Sequence, residues 1–135
     1  MKSQIFKLKE ITDERGALCV ADFSDNTLPF EIKRAFWIYD VPHGKQRGEH
    51  AHRTCEELLI PIQGSFTAHI ITPDKEEMIF TMNNRSEALY IPPMTWCRFS
   101  NFTIDCVCLC LASENYFKEG YINDLSTFLK EVKKA

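Results

Sequence analysis

The sequence lacks a strong excess of charge of either sign and any long hydrophobic run. Its 135 residues carry 16 Lys and Arg against 19 Asp and Glu, a formal net charge of -3. Domains that bind a nucleic-acid backbone are usually strongly basic, so we expect no nucleic-acid partner. The longest apolar runs, such as residues 107–112, fall far short of the roughly 20 residues that a membrane span needs. The first ten residues also lack the apolar stretch of a signal peptide. We therefore expect a cytoplasmic protein that does not enter a membrane.

Disulfide bonds are not expected, although the sequence contains six cysteines. Cys106, Cys108 and Cys110 alternate within a hydrophobic run, as on a β-strand. Neighbours on the same face of a strand lie about 7 Å apart, whereas the Cβ atoms of a disulfide lie about 4 Å apart. A zinc ion would also need its ligands closer together. The pattern predicts reduced thiols that pack as small hydrophobic side chains.

Short segments with β-strand composition follow one another along most of the chain, with turn residues between them. The length fits one domain spanning residues 1–135. Strands are predicted at residues 17–23, 32–41, 57–62, 65–72, 77–82 and 88–91, and the last strands within 99–111. A turn is predicted at 24–27, and the turn Pro73-Asp74-Lys75 predicts a hairpin. Pro92 and Pro93 should lie at a strand end.

Helical spacing occurs at the C-terminus. The apolar residues that recur at helical intervals are Leu125, Phe128, Leu129 and Val132. Asn123 or Asp124 is the predicted N-cap, and the lysines that suit the negative end of the helix dipole are Lys130, Lys133 and Lys134. A series of short strands followed by one helix predicts an all-β barrel or jelly roll with a short C-terminal helix.

The densest group of reactive side chains lies between two glycines, Gly44 and Gly64. His50 and His52 are two residues apart, so on a strand both imidazoles project from one face. Two such rings can flank a small substrate or share a metal ion. Glu57 lies at an odd offset from His52, so a bend or bulge must separate them if Glu57 joins the pair.

The spacing of this segment resembles the first motif of the cupins. The matching residues are Gly44, His50, His52, Glu57 and Gly64. The second cupin motif, at residues 92–101, keeps its first Pro and its final Asn, but Met94 replaces a Gly and Cys97 replaces a His. The resemblance implies the double-stranded β-helix, or jelly roll, with a cysteine in place of a metal-binding histidine.

A closer resemblance extends over nearly the whole chain. The segments that carry it are residues 13–18, 30–40, 47–52, 63–65 and 111–113, with Tyr116. They are similar to the nucleotide-sugar 3,4-ketoisomerases, the WxcM-like dTDP-4-oxo-6-deoxyglucose 3,4-oxoisomerases. Membership implies a homodimer, no metal or other cofactor, and a proton shuttle between two histidines. The sequence departs from the family at Glu57, usually Gln, and at Cys97, where a family histidine is expected.

The chemistry of that reaction assigns the catalytic residues. Moving a ketone from C4 to C3 of a hexose requires removal of the C3 proton, an enediol, and return of a proton at C4. Histidine is suited to this because its pKa lies near 7. We therefore predict His50 and His52 as the catalytic pair. Glu57 is predicted as a substrate-binding residue of the same site, where it would, if close, also raise the basicity of one imidazole.

The remaining predicted site residues bind the nucleotide sugar. Arg15 and Arg47, each beside a glycine, are candidates for the diphosphate because guanidinium groups bind phosphates in a bidentate manner. Trp37, Tyr39 and Trp96 are candidates to stack on thymine or sugar. The resemblance implies an aromatic residue near the sugar on the strand that carries Trp37 and Tyr39, and either can occupy that place. His43 and His69 are predicted to be structural or surface residues.

The predicted function is the isomerisation of a dTDP-linked 4-keto-6-deoxyhexose to its 3-keto isomer, which would supply an aminotransferase in deoxyamino-sugar biosynthesis. Galacto- and gluco-configured products are both compatible with the sequence. One alternative is a metal-dependent cupin enzyme using His50, His52 and Glu57, with Cys97 as a fourth ligand. Another is a cupin that binds a sugar nucleotide without catalysis.

Overall fold

The computed structural model describes residues 1–24 and 28–133, and over these residues it is built mainly of β-strands. The strands in chain order are β1 Gln4–Lys7, β2 Lys9–Asp13, β3 Gly16–Val20, β4 Arg34–Tyr39, β5 Arg47–His52, β6 Glu57–Gln63, β7 Phe66–Ile71, β8 Glu77–Met82, β9 Glu87–Ile91, β10 Trp96–Ser100, β11 Val107–Ala112 and β12 Tyr121–Ile122. A 3-10 turn at Lys118–Gly120 precedes β12, and helix α1 covers Leu125–Lys133.

Antiparallel pairing joins these strands into two five-stranded sheets and one hairpin within the described residues. The first sheet has the order β1-β9-β6-β11-β4, and the second has the order β12-β5-β10-β7-β8. The hairpin β2–β3 forms a sheet of its own. The main core contains Leu59 and Leu89 from the first sheet and Phe66 and Phe99 from the second. The predicted all-β jelly roll with a short C-terminal helix is confirmed.

Most of the predicted strands are present with small shifts at their ends. β8 has the predicted bounds and pairs with β7 as the predicted hairpin. Pro92 and Pro93 follow directly after β9, as expected. The predicted strand at 17–23 is β3, which ends at Val20, and the predicted turn at 24–27 lies largely outside the described residues.

Four strands differ from the sequence prediction: β1, β2, β10 and the two-residue strand β12. The sequence does not predict β1 and β2, because both strands contain many polar residues. No residue of β1 is fully buried, and every residue of β2 is exposed. β1 forms through its pairing with β9 at the edge of the first sheet, a long-range contact without a local signal. β10 begins at Trp96, three residues earlier than the predicted range of 99–111, because Trp96 and Cys97 both pair with β7.

The helix α1 is capped by Asp124, whose carboxylate accepts a hydrogen bond from the Thr127 N–H at 3.0 Å. This is the usual bond from an N-cap side chain to the third helical residue. Phe128 and Val132 are buried against the second sheet, where they contact Trp96 and Ala51. The predicted Lys134 lies outside the described residues. None of the described helices has the length and apolar character that a membrane span requires.

The six cysteines are free, and five of them are buried. Cys106, Cys108 and Cys110 belong to the main core, which confirms their predicted role as small hydrophobic side chains. The sulfur atoms of Cys108 and Cys110 lie 4.0 Å apart, much closer than the strand spacing predicted. That separation is still about twice the length of a disulfide bond.

Candidate active site

A β-bulge in β5 determines how the two histidines are presented. Cys97 of β10 lies opposite His50 and Arg98 lies opposite Gly48, so Glu49 is the extra residue in β5. Gly48 has a φ of 83°, and a Cβ at this position would lie 3.0 Å from the Phe99 ring and 3.1 Å from the Cys97 carbonyl oxygen. Glycine is therefore required here both for the backbone conformation and for space.

His50 and His52 share one face of β5 after the bulge. Their ring centroids lie 4.9 Å apart with an angle of 78° between the rings. His52 is only 3% exposed, whereas His50 is half-buried. Burial is the main cause that lowers the pKa of His50 below its ordinary value of 6.5; the charge of Glu57 opposes the shift and that of His52 adds to it. A neutral His50 near pH 7 is the form that a general base needs.

Glu57 faces His52 from the opposite sheet. Residues 53–56 carry the chain from β5 in the second sheet to β6 in the first, and this crossing is the bend that the odd offset required. The Glu57 Oε1 atom lies 3.2 Å from the His52 Nε2 atom, and both side chains are 4% exposed. Despite this short distance, Nε2 has no hydrogen-bond partner in the described part of the chain.

Tyr121 lies beside both histidines and was not selected from the sequence. It pairs with His52 across β12 and β5, and its ring centroid lies 4.4 Å from that of His52 and 5.2 Å from that of His50. Burial raises the pKa of Tyr121, and Arg34 opposes the shift. Its phenol is therefore protonated near neutral pH and able to donate a hydrogen bond. A two-residue strand has no periodicity, so the sequence held no signal for this residue.

Arg34 is the second residue that the sequence analysis missed. It donates a hydrogen bond of 3.4 Å to the Tyr121 hydroxyl. It shares the inward face of β4 with Phe36 and Ile38, which pack against the main core. The signal was available, because Arg34 lies an odd number of residues before Trp37 and must point away from it.

Three of the predicted ligand-binding residues line one groove: Trp37 and Tyr39 on β4, at the edge of the first sheet, and Arg47 at the start of β5 in the second sheet. Trp37 and Tyr39 are 60% and 58% exposed. Together with Lys45 and Arg47 they line an open groove of about 490 Å³. The groove places two aromatic rings beside two cations, a combination suited to a base and a phosphate.

Two predicted ligand-binding residues, Trp96 and Arg15, do not lie near the two histidines of the same chain. Trp96 lies on the other face of β10 from Cys97 and packs beneath α1, with its ring 5.9 Å from that of Phe128. This placement gives Trp96 a packing role instead of the predicted stacking on a ligand. Arg15 lies in the turn between β2 and β3, where its highly exposed guanidinium pairs with Asp13 at 2.7 Å.

His50, His52 and Glu57 form a group of potential metal ligands, with ligand atoms within 4.8 Å of one another. Two imidazoles and a carboxylate fit the ligand set of a three-residue metal site. Cys97 is not part of this group. Its buried thiol donates to the His50 carbonyl oxygen at 3.4 Å, and burial raises its pKa well above the ordinary value. Because metals bind the thiolate, Cys97 is poorly suited as a fourth ligand.

Comparisons with known proteins agree with this geometry. A curated TDP-4-oxo-6-deoxy-alpha-D-glucose-3,4-oxoisomerase from Aneurinibacillus thermoaerophilus is 33% identical over 135 residues, which cover 99% of this chain and 95% of that protein. The crystal structure of QdtA, a sugar 3,4-ketoisomerase from Thermoanaerobacterium thermosaccharolyticum in complex with TDP, superposes with a TM-score of 0.92 at 36% identity, over 98% of this chain and 96% of that one. A QdtA variant bound to TDP-4-keto-6-deoxyglucose gives a TM-score of 0.92 at 35% identity, over 98% and 95% of the two chains.

The match to a family model covers all of the described residues. The model is that of the WxcM-like, C-terminal family, and it matches residues 1–133. The family predicted from the sequence motifs is thus confirmed. The chain belongs to the WxcM-like, C-terminal family, together with sugar 3,4-ketoisomerases.

Proposed function

We propose that this protein is an isomerase that converts TDP-4-keto-6-deoxyglucose into its 3-keto isomer. The observation that carries the proposal is the convergence of two imidazoles, His50 and His52, on one face of β5 at a ring separation of 4.9 Å. The reaction needs groups that move protons between adjacent carbon and oxygen atoms, and two neighbouring histidines supply them. The names of the related proteins support the same substrate class.

In this mechanism, neutral His50 removes the proton from C3. The C3–H electron pair forms a C3=C4 double bond, and the carbonyl π pair moves to O4 to give an enediolate. His52 then transfers the proton of the C3 hydroxyl to O4. When C4 takes up a proton from the His50 imidazolium, the C3–O3 bond becomes the new carbonyl. The atoms and electrons balance within the sugar.

Glu57 has a supporting role in this mechanism. Its carboxylate lies 3.2 Å from His52 Nε2 and is as fully buried as the ring. A negative charge at this distance stabilises an imidazolium that forms during proton transfer. Glutamine, the usual residue of the family at this place, would not provide that charge. We therefore propose that Glu57 stabilises the charged form of His52 and does not bind the substrate directly.

Incubation with TDP-4-keto-6-deoxyglucose in deuterated water, followed by NMR, tests the function. We expect the 3-keto product to carry deuterium at C4, because that proton is returned from the imidazolium after exchange with solvent. His50→Asn and His52→Asn should each lower kcat by about 10²-fold or more, since general acid–base catalysis contributes that much.

His43→Asn is the matched control, because His43 is exposed in the loop before Gly44. It should retain wild-type turnover. A wild-type protein that binds TDP but yields no product would establish the non-catalytic alternative. Full activity in both catalytic-histidine variants would refute the proton shuttle.

We further propose that the groove beside β4 binds the TDP moiety, with Arg47 on the diphosphate and Trp37 or Tyr39 on thymine. Arg47 is exposed in this groove and follows Lys45 and Gln46 along its wall. A charge-assisted contact to a phosphate is worth roughly 1.5–3 kcal/mol.

Arg47→Ala should therefore raise KM by about 10- to 150-fold and leave kcat nearly unchanged, because a phosphate remote from C3 and C4 is held alike in ground and transition states. Steady-state kinetics measure both constants. Arg85→Ala, at an exposed position between β8 and β9, is the control and should behave as wild type. A fall in kcat at constant KM would instead place Arg47 at the reacting carbons.

We propose that the protein is a homodimer that buries the β2–β3 hairpin. Ile11 and Leu18 lie directly opposite each other in this hairpin and are 48% and 59% exposed. An isolated two-stranded hairpin is marginally stable in water, and adjacent exposed apolar residues mark contact surfaces. Arg15 lies in the turn of the same hairpin. Dimerisation is thus the route by which Arg15 would reach a bound diphosphate.

Sedimentation equilibrium should give twice the 15.7 kDa mass of the chain. Leu18→Glu should shift the protein toward the monomer, because it places a charge in the buried contact. Ile79→Glu is the matched control, since Ile79 is 67% exposed on β8 in the second sheet, and it should stay dimeric. A monomeric wild-type protein at micromolar concentration would contradict the proposal.

The metal-dependent alternative is favoured by the grouping of His50, His52 and Glu57. We propose that turnover does not need a metal, since the proton transfers of the proposed mechanism need only the two imidazoles. Exhaustive chelation should leave kcat unchanged, and elemental analysis should find far less than one metal ion per chain. Loss of activity that one divalent metal restores would establish the alternative function.

We also propose that the reaction takes place in the cytoplasm. All six cysteines are free, and free thiols persist in a reducing compartment.

A further inference from the structure

The register of the first sheet places Arg34 in the same layer as the candidate active site. Arg34 lies opposite Ala112, and Ala112 lies opposite Glu57 on the next strand. Residues opposite each other in antiparallel strands project from the same side of the sheet. Arg34 and Glu57 therefore face the second sheet together, with the small side chain of Ala112 between them.

The Arg34 guanidinium is held in place by aromatic side chains. Its central carbon lies 5.2 Å from the centroid of the Phe36 ring and 5.7 Å from that of the Tyr116 ring. One terminal nitrogen donates to the Tyr121 hydroxyl at 3.4 Å. Tyr121 in turn lies against both histidines. Tyr121 thus links the Arg34 cation to the two imidazoles, and the charge of Arg34 acts on His50.

Arg34 has an unused donor and lacks an ion pair. Its Nε atom is buried and has no hydrogen-bond partner in residues 1–24 and 28–133. The ion pairs of these residues, up to 4.0 Å, do not include Arg34. A buried donor without an acceptor costs free energy, as does a partly buried cation without an anion. An oxygen atom with negative charge, supplied by a ligand, would satisfy both requirements.

We propose that Arg34 binds the oxygen on C4 of the sugar and stabilises the negative charge that this oxygen gains in the enediolate. This role deepens the proposed function and rests on it. When His50 removes the C3 proton, the carbonyl π pair moves to O4, so the charge develops beside the imidazoles. A fixed cation aimed at such a charge accelerates the step, because it needs no rearrangement when the charge appears. Tyr121 is a second donor to the same oxygen.

Kinetics of Arg34→Gln test the role. Because the contact is stronger in the transition state than in the ground state, kcat should fall by about 10²- to 10³-fold. KM and the Kd for TDP should change by less than about threefold. Arg34→Lys keeps the charge but not the planar fork, so it should retain more activity than Arg34→Gln and still lose at least about tenfold. Arg85→Gln is the control and should match the wild type.

Each other outcome overturns the role. If kcat of both variants stays within threefold of wild type, Arg34 does not stabilise the enediolate. If the Kd for TDP and KM rise at constant kcat, Arg34 is a phosphate ligand. If Arg34→Gln fails to fold in a thermal melt, Arg34→Lys decides: wild-type kcat in the folded lysine variant refutes the role. Absence of product from the wild-type protein would overturn the proposed function itself, and the same series of assays reports that separately.

Discussion

The contact between His52 and Glu57 depends on the way the chain passes from one sheet to the other. Residues 53–56 leave the second sheet at His52 and enter the first at Glu57. Backbone hydrogen bonds fix this crossing: the Arg53 N–H donates to the Gly120 carbonyl oxygen at 2.8 Å, and the Ser113 N–H donates to the Glu56 carbonyl oxygen at 2.9 Å. A buried carboxylate can stay beside a buried imidazole because both sheets hold the segment that connects them.

Two polar side chains of the candidate site have donors that no other side chain of the described residues satisfies. His52 Nε2 and Arg34 Nε are both buried without hydrogen-bond partners in the described part of the chain. Buried polar groups are normally paired, so leaving these two atoms without partners lowers the free energy of unfolding. Ala112 lies on the strand between those of Arg34 and Glu57. Glu57 therefore interacts with Arg34 only at longer range. This separation keeps the cation available instead of neutralising it in an ion pair.

Local pattern and long-range pairing explain which features the sequence could predict. The alternation of β7 and β8, the prolines after β9 and the cap of α1 are local, so they were predictable. His50 and His52 share a face because they are two residues apart, and their glycine-bounded motif indicated the fold. The position of Tyr121 depends on a two-residue strand, and that of Glu57 depends on a crossing between sheets. Neither can be read from periodicity. Trp96 shows the opposite case. Its aromatic side chain predicted stacking on a ligand, but strand alternation turns it toward α1.

The C-terminal helix lies directly behind the two histidines that are proposed to carry out the chemistry. Phe128 and Val132 cover Ala51, the residue between the two histidines, from the far side of β5. The chain enters this helix from β12, whose Tyr121 pairs with His52. Only two residues separate β12 from α1, so the C-terminal helix is connected closely to the strand that pairs with His52. A fusion, tag or truncation at the C-terminus would therefore alter the packing of α1 against β5, behind the two histidines. An addition at the N-terminus would instead attach at β1, on the edge of the other sheet.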